Sequence, residues 1–420
     1  MIFFPKLKTS ITTDRFYGII LFLSFFAYLA TILIFSRNAF VCDEARYMEY
    51  ASNLLHGTYV TGDKYHLNLM NGPGYPLLLM PFVALHAPLL SLKIFNAFLM
   101  FGAVIYLFYS LRFFISFRKS VFAALIFGLY PPNFVELPLI MSETAATFFM
   151  CGFCYYFLDA LLNKKNAPLF LAAFFISMVA LTKVIFGYIL AACIVVFAVA
   201  ALLRRSGFSR AFIICLFGLL GTVPYLLYTY NLTGRPFYWS VLGGDQLYYL
   251  TSPFENELGD IQNQRNDINP GFIKNHQSFY KIIDAMSTVE RDEILKKQAI
   301  INIAKHPMKF LKNYAANLCR MFINFPYSYT PQSMRSLFYI IPGMFLVVFF
   351  AISVTLAIFG RRGLMPRPMP LFVFGLIATA ATSAVSAYSR MALVLIPIMF
   401  IWIVFVFSGT ITISLKKLPQ

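Results

Sequence analysis

Long apolar stretches alternate with short polar segments along almost the whole chain. A helix needs roughly 20 apolar residues to cross the hydrocarbon core of a bilayer, and the stretches approach or reach that length. They predict about ten transmembrane helices, over residues 17–35, 92–111, 120–138, 144–162, 169–181, 184–203, 211–230, 337–359, 371–387 and 391–413. One further apolar stretch, 73–90, contains four prolines and predicts a re-entrant or interfacial segment.

The composition excludes a water-soluble globule. The chain of 420 residues is 60% hydrophobic and 12% charged, and its mean hydropathy is +0.72. Such a chain has too little polar surface to cover a soluble domain of its size. The sequence therefore predicts an all-α integral membrane protein, a multi-spanning helix bundle that carries two larger loops on its outer face.

The charges predict which way the chain threads the membrane. With a cytoplasmic N-terminus, the inner side collects 16 basic residues against two acids, a net +14, and the outer side carries the other 18 basic residues against 15 acids, a net +3. The inner basic residues are Lys6, Lys8, Arg15, Arg112, Arg118, Lys119, Lys164, Lys165, Arg204, Arg205, Arg210, Arg361, Arg362, Arg367, Lys416 and Lys417. Every inner loop obeys the positive-inside rule, so we expect both termini in the cytoplasm. The basic excess indicates anionic membrane lipid as its partner and no nucleic acid.

Two polar segments lie on the predicted outer side, residues 36–91 and 231–335. They divide the chain into an N-terminal membrane region over 1–230, an outer loop region over 231–335, and C-terminal membrane helices with a short cytoplasmic tail over 336–420. Within the second segment, 287–305 predicts a helix whose acids come first and whose lysines follow, as the helix dipole favours. The stretch 251–277 is rich in Asn, Asp, Gly and Pro and predicts a surface loop.

Asp43 and Glu44 follow the first predicted span and open the segment CDEARYMEYASNLLHGTY. Acids beside a bilayer are costly unless they are solvated, paired or used. Asp43 is placed to cap a helix that ends at Gly57, so the pair has a purely structural interpretation as well as a catalytic one. Glu136 and Glu143 lie at the outer ends of two neighbouring predicted spans. A cavity between the helices would bring them near the first outer loop, which favours the catalytic interpretation.

Cations at the same level form the other half of the predicted site. Lys183 interrupts the apolar run AFFISMVALTKVIFGYIL, and Arg390 stands between the last two predicted spans. An ionisable group at the membrane boundary is typical of a ligand site, although a long cationic side chain also reaches lipid headgroups without any ligand. Arg235, just after a predicted span, is either part of the site or a loop cation with no special role.

Six motifs occur in a recognisable order: CDEARYMEYASNLLHGTY, NGPGYPLLLMPF, LPLIMSETAATFF, LTKVIFGYIL, NLTGRPFYWS and YSRMALVLIP. Together they resemble the polyprenyl-phosphate-sugar-dependent glycosyltransferases of the GT-C fold, which include the protein O-mannosyltransferases and the bacterial lipid A aminoarabinose transferases. The resemblance covers residues 17–413. The long C-terminal soluble domain of some members has no counterpart, so acceptor recognition is expected in the two outer loops.

The resemblance implies transfer of one sugar from a polyprenyl-phosphate donor to a hydroxyl of a glycan, lipid or protein acceptor, with inversion, at the outer face of a bacterial inner membrane. It assigns Asp43 as the general base, with Glu44 or Glu143 orienting the acceptor or holding Asp43. The cations at Lys183 and Arg390 stabilise the leaving phosphate. The predicted substrate-binding residues are Arg46, Tyr47, Glu143, Lys183, Arg235 and Arg390. No metal ligand is assigned. Family members differ in metal use, so the resemblance allows a divalent cation.

Two other functions suit the same pattern. Intramembrane charges and proline-broken segments are also found in transporters and lipid flippases, although the two halves of this chain show no internal repeat. An O-antigen ligase or polymerase would use a similar lipid-linked donor and transfer a larger glycan. The pair Cys151 and Cys154 has metal-ligand spacing, but it lies mid-helix with no second pair, so we interpret it as apolar filling.

Overall fold

The computed structural model describes residues 11–41, 43–62, 66–260, 270–329, 334–360, 366–385 and 387–410. Across these ranges the chain forms nineteen α-helices, one short 3-10 helix at Met334–Ser336 and no β-strand. The predicted all-α fold is confirmed. Several predicted positions lie outside the described residues, among them the two termini, Arg361 and Arg362.

Eleven helices make up the N-terminal part of the protein. They are α1 (Ile11–Phe35), α2 (Glu44–Leu55), α3 (Gly74–Ala84), α4 (Leu89–Leu111), α5 (Phe117–Gly128), α6 (Pro131–Glu136), α7 (Ser142–Leu162), α8 (Ala167–Thr182), α9 (Ile185–Leu202), α10 (Phe208–Leu220) and α11 (Val223–Thr233). One continuous hydrophobic core joins them to the C-terminal helices.

The remaining helices form a second unit and the C-terminal part. They are α12 (Gly243–Leu250), α13 (Pro270–Ile283), α14 (Thr288–Lys305), α15 (Pro307–Ile323), α16 (Leu337–Phe359), α17 (Met369–Ser383), α18 (Ser389–Ala392) and α19 (Ile396–Thr410). Residues 238–260 and 270–329, which we call the α12–α15 unit, have a small hydrophobic core of their own. Its buried residues are Tyr248, Tyr249, Tyr280, Ile283 and Leu295.

Helix length supports fewer spans than the sequence predicts. Within the described ranges, five helices are long and apolar enough to cross a membrane: α1, α4, α7, α9 and α16. Helices α10 and α11 make a sixth if this pair, bent by 46°, counts as one span. Four other apolar helices, α3, α8, α17 and α19, have 10–17 residues. The protein is a multi-pass membrane protein, but the count of about ten spans is not confirmed.

Breaks within the predicted spans have local causes. The predicted span 120–138 divides into α5 and α6, because Pro131 and Pro132 lack the N–H groups that would continue the helix. The last predicted span likewise divides into α18 and α19, and the proline-rich stretch 73–90 contains the short helix α3 with Pro81 inside it. Several of the residues that line the candidate site lie at helix ends or in the segments between helices.

The α12–α15 unit agrees with one prediction and corrects another. The predicted helix 287–305 is present as α14, and Ser287 and Glu290 form a capping box at its start. The stretch 251–277 was predicted as a loop, but α13 begins at Pro270; residues 261–269 lie outside the described part. The prediction missed α13 because the polar run before it conceals a helical spacing, in which His276, Tyr280 and Ile283 are buried.

Hydrogen bonds to two backbone carbonyls join this unit to the first outer segment. Val241 N–H donates to the carbonyl of Leu69 at 2.9 Å, and the Ser240 hydroxyl donates to the carbonyl of Met70 at 2.9 Å. The segment 240–246 is thereby fixed directly beside residues 69–72. The predicted division of the chain at residues 230 and 335 stays a prediction.

Candidate active site

A cavity of about 500 Å³ lies where six parts of the chain meet. Its walls come from the start of α2, the loop 70–72, the start of α7, the turn between α8 and α9, segment 240–246, and the end of α17 with α18. The charged side chains that line it are two carboxylates and three cations: Asp43, Glu143, Arg46, Lys183 and Arg390. We call it the charged cavity.

Asp43 directs its carboxylate into this cavity and does not use it as a helix cap. It occupies the N-cap position of α2, but its side chain makes no capping hydrogen bond. Its Oδ1 lies 2.9 Å from Nη2 of Arg46, and its Oδ2 lies 3.8 Å from Nη2 of Arg390. The side chain remains 31% exposed. A molecule arriving from solvent can therefore reach the carboxylate.

Glu44 has a different environment from its neighbour. It is fully buried and does not line the charged cavity. Its Oε1 accepts the backbone N–H of Ile140 at 2.7 Å, and its Oε2 accepts the N–H of Val41 at 2.8 Å. These bonds connect the first outer segment to the loop before α7. The arrangement suits a residue that holds Asp43 in place.

Arg46 and Tyr47 belong to one hydrogen-bonded chain. Arg46 donates from Nε to Oδ1 of Asn71 at 2.9 Å, and Asn71 donates from Nδ2 to the hydroxyl of Tyr47 at 3.1 Å. The Tyr47 hydroxyl lies 2.9 Å from the hydroxyl of Ser142 at the start of α7. A chain of side-chain contacts thus runs along the cavity wall from Asp43 through Arg46, Asn71 and Tyr47 to Ser142 of α7.

The glycines of the motif NGPGYPLLLMPF explain how Asn71 reaches this position. A Cβ at Gly72 would lie 2.0 Å from the carbonyl oxygen of Leu181, and a Cβ at Gly74 would lie 2.5 Å from the hydroxyl of Thr182. Only glycine permits the loop to approach the end of α8 so closely. The loop therefore brings Asn71 beside the turn that carries Lys183.

Glu143 connects the two cations that the sequence singled out. Its Oε1 lies 2.7 Å from Nζ of Lys183 and 3.5 Å from Nε of Arg390. The Glu143 side chain is 2% exposed, and among the described residues its Oε2 has no hydrogen-bond partner, nor does the Nε of Arg390. Buried polar atoms without a partner cost stability, so their presence around a cavity indicates room for a ligand.

Arg235 lies outside the charged cavity. It is 50% exposed and pairs with Glu293 of α14, at 2.6 Å through Nε and 2.9 Å through Nη2. The structure thus brings together Asp43, Arg46, Tyr47, Glu143, Lys183 and Arg390, and leaves out Glu44 and Arg235. Their predicted roles stay predictions.

Several cavity residues had not been identified from the sequence. They are neutral polar residues: Asn71, Thr182, Tyr188, Ser240, Gln246, Thr382 and Tyr388. Single amides and hydroxyls carry no pattern that separates them from surface residues, and only the contacts between distant segments bring them together. Asn71 alone had a signal, since it opens a glycine- and proline-rich motif between polar and apolar segments.

The cavity residues do not fit a divalent cation. Such an ion needs several oxygen ligands, mostly carboxylates and carbonyls. Both cavity carboxylates already lie within 2.9 Å of a cationic nitrogen, at Arg46 for Asp43 and at Lys183 for Glu143. Among the described residues, no group of three or more His, Cys, Asp and Glu has metal-binding geometry.

Comparisons with known proteins identify the fold. No protein-family model matches the chain, and neither does any curated protein. Among solved structures, the chain is similar to the apo oligosaccharyltransferase of Archaeoglobus fulgidus, with a TM-score of 0.51 and 13% identity over 94% of this chain and 51% of that one. It is also similar to that organism's oligosaccharyltransferase AglB in complex with an inhibitory peptide and a dolichol-phosphate, with a TM-score of 0.52 and 11% identity over 95% of this chain and 51% of that one.

A third structure, the same oligosaccharyltransferase tethered to an acceptor peptide, gives a TM-score of 0.54 at 11% identity over 92% of this chain and 49% of that one. The chain thus spans about half the length of these proteins. At such low identity the likeness concerns the fold alone. The predicted GT-C fold is confirmed.

Proposed function

We propose that this protein is a membrane glycosyltransferase that moves one sugar from a polyprenyl-phosphate donor to an acceptor hydroxyl at the outer face of the membrane. The observation that carries the proposal is the charged cavity, in which Asp43, Glu143, Lys183 and Arg390 come together from four separate elements. The GT-C fold supports the same reaction class, because the solved structures that share it are oligosaccharyltransferases.

The charge of the cavity supports a phosphate-linked donor. Its three cations exceed its two carboxylates by one, and a polyprenyl-phosphate sugar, as a phosphodiester, carries one negative charge. Lys183 and Arg390 share the single carboxylate oxygen Oε1 of Glu143. A bound phosphate would complete the coordination of both cations, which then stabilise the negative charge that grows on the leaving phosphate.

Asp43 is the general base in this proposal. As the acceptor oxygen attacks the anomeric carbon, the bond from that carbon to the phosphate oxygen breaks, and the acceptor's proton passes to the Asp43 carboxylate. Polyprenyl phosphate leaves with the bonding electrons. A single displacement of this kind inverts the anomeric centre. Glu44 acts by fixing the backbone before and beside Asp43 through its bonds to Val41 and Ile140.

The size of the transferred group, the membrane orientation and the acceptor are part of the same proposal. The volume of the cavity, about 500 Å³, supports transfer of a single sugar. The positive-inside distribution supports cytoplasmic termini and an active site on the periplasmic or exterior side of a bacterial inner membrane. The AglB complex contains dolichol-phosphate and an inhibitory peptide. We propose a polyprenyl-phosphate donor here, with a glycan, lipid or protein as acceptor.

The test supplies the same radiolabelled sugar in two forms. The purified full-length chain is reconstituted in liposomes with a membrane extract as acceptor, and the sugar is given either on undecaprenyl phosphate or on a nucleotide. We expect incorporation only from the lipid-linked form, because the phosphate must lie at the membrane surface. Incorporation from the nucleotide sugar without a lipid carrier would refute the proposal, and no incorporation from any lipid-linked sugar would favour transport.

A further inference from the structure

Segment 240–246 forms one side of the charged cavity and contributes the side-chain amide of Gln246 to its lining. Leu242, Gly243 and Gln246 line the cavity, and their spacing places them on the same face of α12. The carboxamide of Gln246 makes no hydrogen bond to any residue in the part of the chain that the structure describes. It therefore offers both a donor and an acceptor to whatever fills the cavity.

Helices α13 and α14 hold α12 in position. Asp292 of α14 accepts the backbone N–H of Gly244 at 2.5 Å and the Tyr238 hydroxyl at 2.8 Å. A Cβ at Gly244 would lie 2.3 Å from the carbonyl oxygen of Asp292, so glycine is needed for this close packing. On the next residue, Asp245 accepts the hydroxyl of Tyr280 at 2.7 Å. The buried carboxylates of Asp292 and Asp245 thus hold the two residues before Gln246 in place.

Other neutral side chains of the cavity are already engaged or less accessible. Asn71 uses both ends of its amide, on Arg46 and on Tyr47. Ser240 donates to the Met70 carbonyl and accepts the N–H of Leu242. Thr382 has an unpartnered hydroxyl but is 3% exposed. Gln246 is half-buried, so a ligand can reach it without a rearrangement of the wall.

We propose that Gln246 determines which sugar the enzyme accepts by binding two hydroxyl groups of the donor sugar. The proposal rests on the proposed function. Sugar hydroxyls both donate and accept hydrogen bonds, and a carboxamide offers one group of each kind. A site that binds a hydroxyl discriminates strongly against an analogue that lacks it or presents it differently, because the amide is then left unpaired.

The experiment compares lipids that differ only in the sugar. Full-length protein in nanodiscs is titrated with undecaprenyl phosphate and with undecaprenyl phosphate linked to mannose, glucose or galactose, and bound lipid is counted by native mass spectrometry. Gln246→Ala is compared with the wild type. The control is Gln298→Ala, which removes a glutamine of α14 that bonds only to Asn302 of its own helix.

We expect the wild type to bind one sugar-linked lipid most tightly. Gln246→Ala should weaken the binding of that lipid by about tenfold and reduce the preference among the sugars. Binding of sugarless undecaprenyl phosphate should stay unchanged, and Gln298→Ala should change nothing. An equal loss for the sugarless lipid, or unchanged sugar preference, would overturn the inference while leaving the proposed function intact. A wild type that binds none of these lipids would instead refute the proposed function, and the inference would fall with it.

Discussion

The charged cavity and the interior of the α12–α15 unit both contain buried ionisable groups, but they satisfy their polar atoms in different ways. In the α12–α15 unit, Glu257 and His276 are fully buried. Nε2 of His276 lies 2.8 Å from both carboxylate oxygens of Glu257. Asn275 and Tyr329 each donate to Oε1 at 2.7 Å, and Ser252 donates to Oε2. This carboxylate has no unused oxygen.

The charged cavity is less complete. Oε2 of Glu143 and Nε of Arg390 have no hydrogen-bond partner among the described residues, and Arg390 lies 3.8 Å from Asp43. A fully bonded network specifies a fold, whereas a partly bonded one costs stability unless a ligand completes it. The Glu257 network therefore has a structural role, and the charged cavity is the proposed site of the reaction. The following variants test that assignment.

The largest effect is expected at Asp43. Asp43→Asn keeps the size of the side chain but removes its basicity, so sugar transfer should fall by about 100-fold or more. The thermal unfolding midpoint should stay near that of the wild type, because Asp43 is partly exposed and makes no capping bond. Turnover is measured in liposomes with the lipid-linked donor at matched protein levels. Near-normal turnover would move the base to Glu44 or Glu143.

A smaller loss is expected from a cation of the cavity. Lys183→Met removes a charge-assisted contact to the donor phosphate, worth about 1.5–3 kcal/mol, so kcat/KM for the donor should fall by roughly tenfold to a hundredfold. Lys312→Met is the matched control, since this lysine is 57% exposed and pairs with Glu255 at 3.5 Å. If both variants behave alike, Lys183 merely reaches lipid headgroups.

In the Glu257 network the effect should be on stability. Glu257→Gln removes the negative charge and replaces one of the two acceptor oxygens with an NH2 donor, so His276 and its neighbours lose part of their acceptor. We expect a loss of about 2 kcal/mol in the free energy of unfolding and unchanged turnover per folded molecule. Thermal unfolding of the detergent-purified protein measures the first, and the liposome assay measures the second. Lost turnover at unchanged stability would remove the distinction between the two regions.

The same network predicts a pH dependence. Burial alone raises the pKa of Glu257, but the hydrogen bond and charge of His276 and the bonds from Ser252 and Asn275 outweigh it, so the pKa lies below its usual 4.5. A lowered carboxyl pKa contributes stability that is fully present above about pH 4.5 and is lost as the pH falls through the lowered pKa. Unfolding midpoints from pH 6 to pH 3 should show this loss in the wild type and a weaker one in Glu257→Gln. Identical profiles would contradict it.

The smallest effect is expected at Arg235. Its pair with Glu293 is exposed, and such pairs contribute about 0–1 kcal/mol. Arg235→Ala should therefore change the unfolding midpoint little and transfer by less than about twofold. Both are measured beside Lys183→Met in the same assay. A loss as large as that of Lys183→Met would return Arg235 to the substrate-binding set.

Sequence patterns predicted the fold more completely than they predicted the details of the site. Apolar stretches located the bundle helices, and the acids and lysines of 287–305 located α14, because burial and the helix dipole act on local sequence. The break between α5 and α6 follows from Pro131 and Pro132. The prediction of one continuous span rested on the hydropathy of the stretch and did not take these prolines into account. Helix α13 was missed because its few buried positions follow a long polar run.

Charge at the bundle end was the useful signal for the site. Asp43, Glu143, Lys183 and Arg390 stood out because ionisable groups beside a membrane are costly. Adjacent residues were harder to separate: Asp43 lines the cavity, while Glu44 is buried against backbone amides. Gln246 had no signal at all, since only the packing of α12 on α14 brings it to the cavity.

The most direct test of the central claim separates binding from transfer in one variant. Wild type and Asp43→Asn in nanodiscs are mixed with radiolabelled, undecaprenyl-phosphate-linked sugar, and bound lipid and transferred sugar are counted in a single turnover. If the charged cavity is the active site, the variant retains the donor within a fewfold of the wild type and transfers it about 100-fold more slowly or not at all. Transfer by the variant at the wild-type rate would contradict the account.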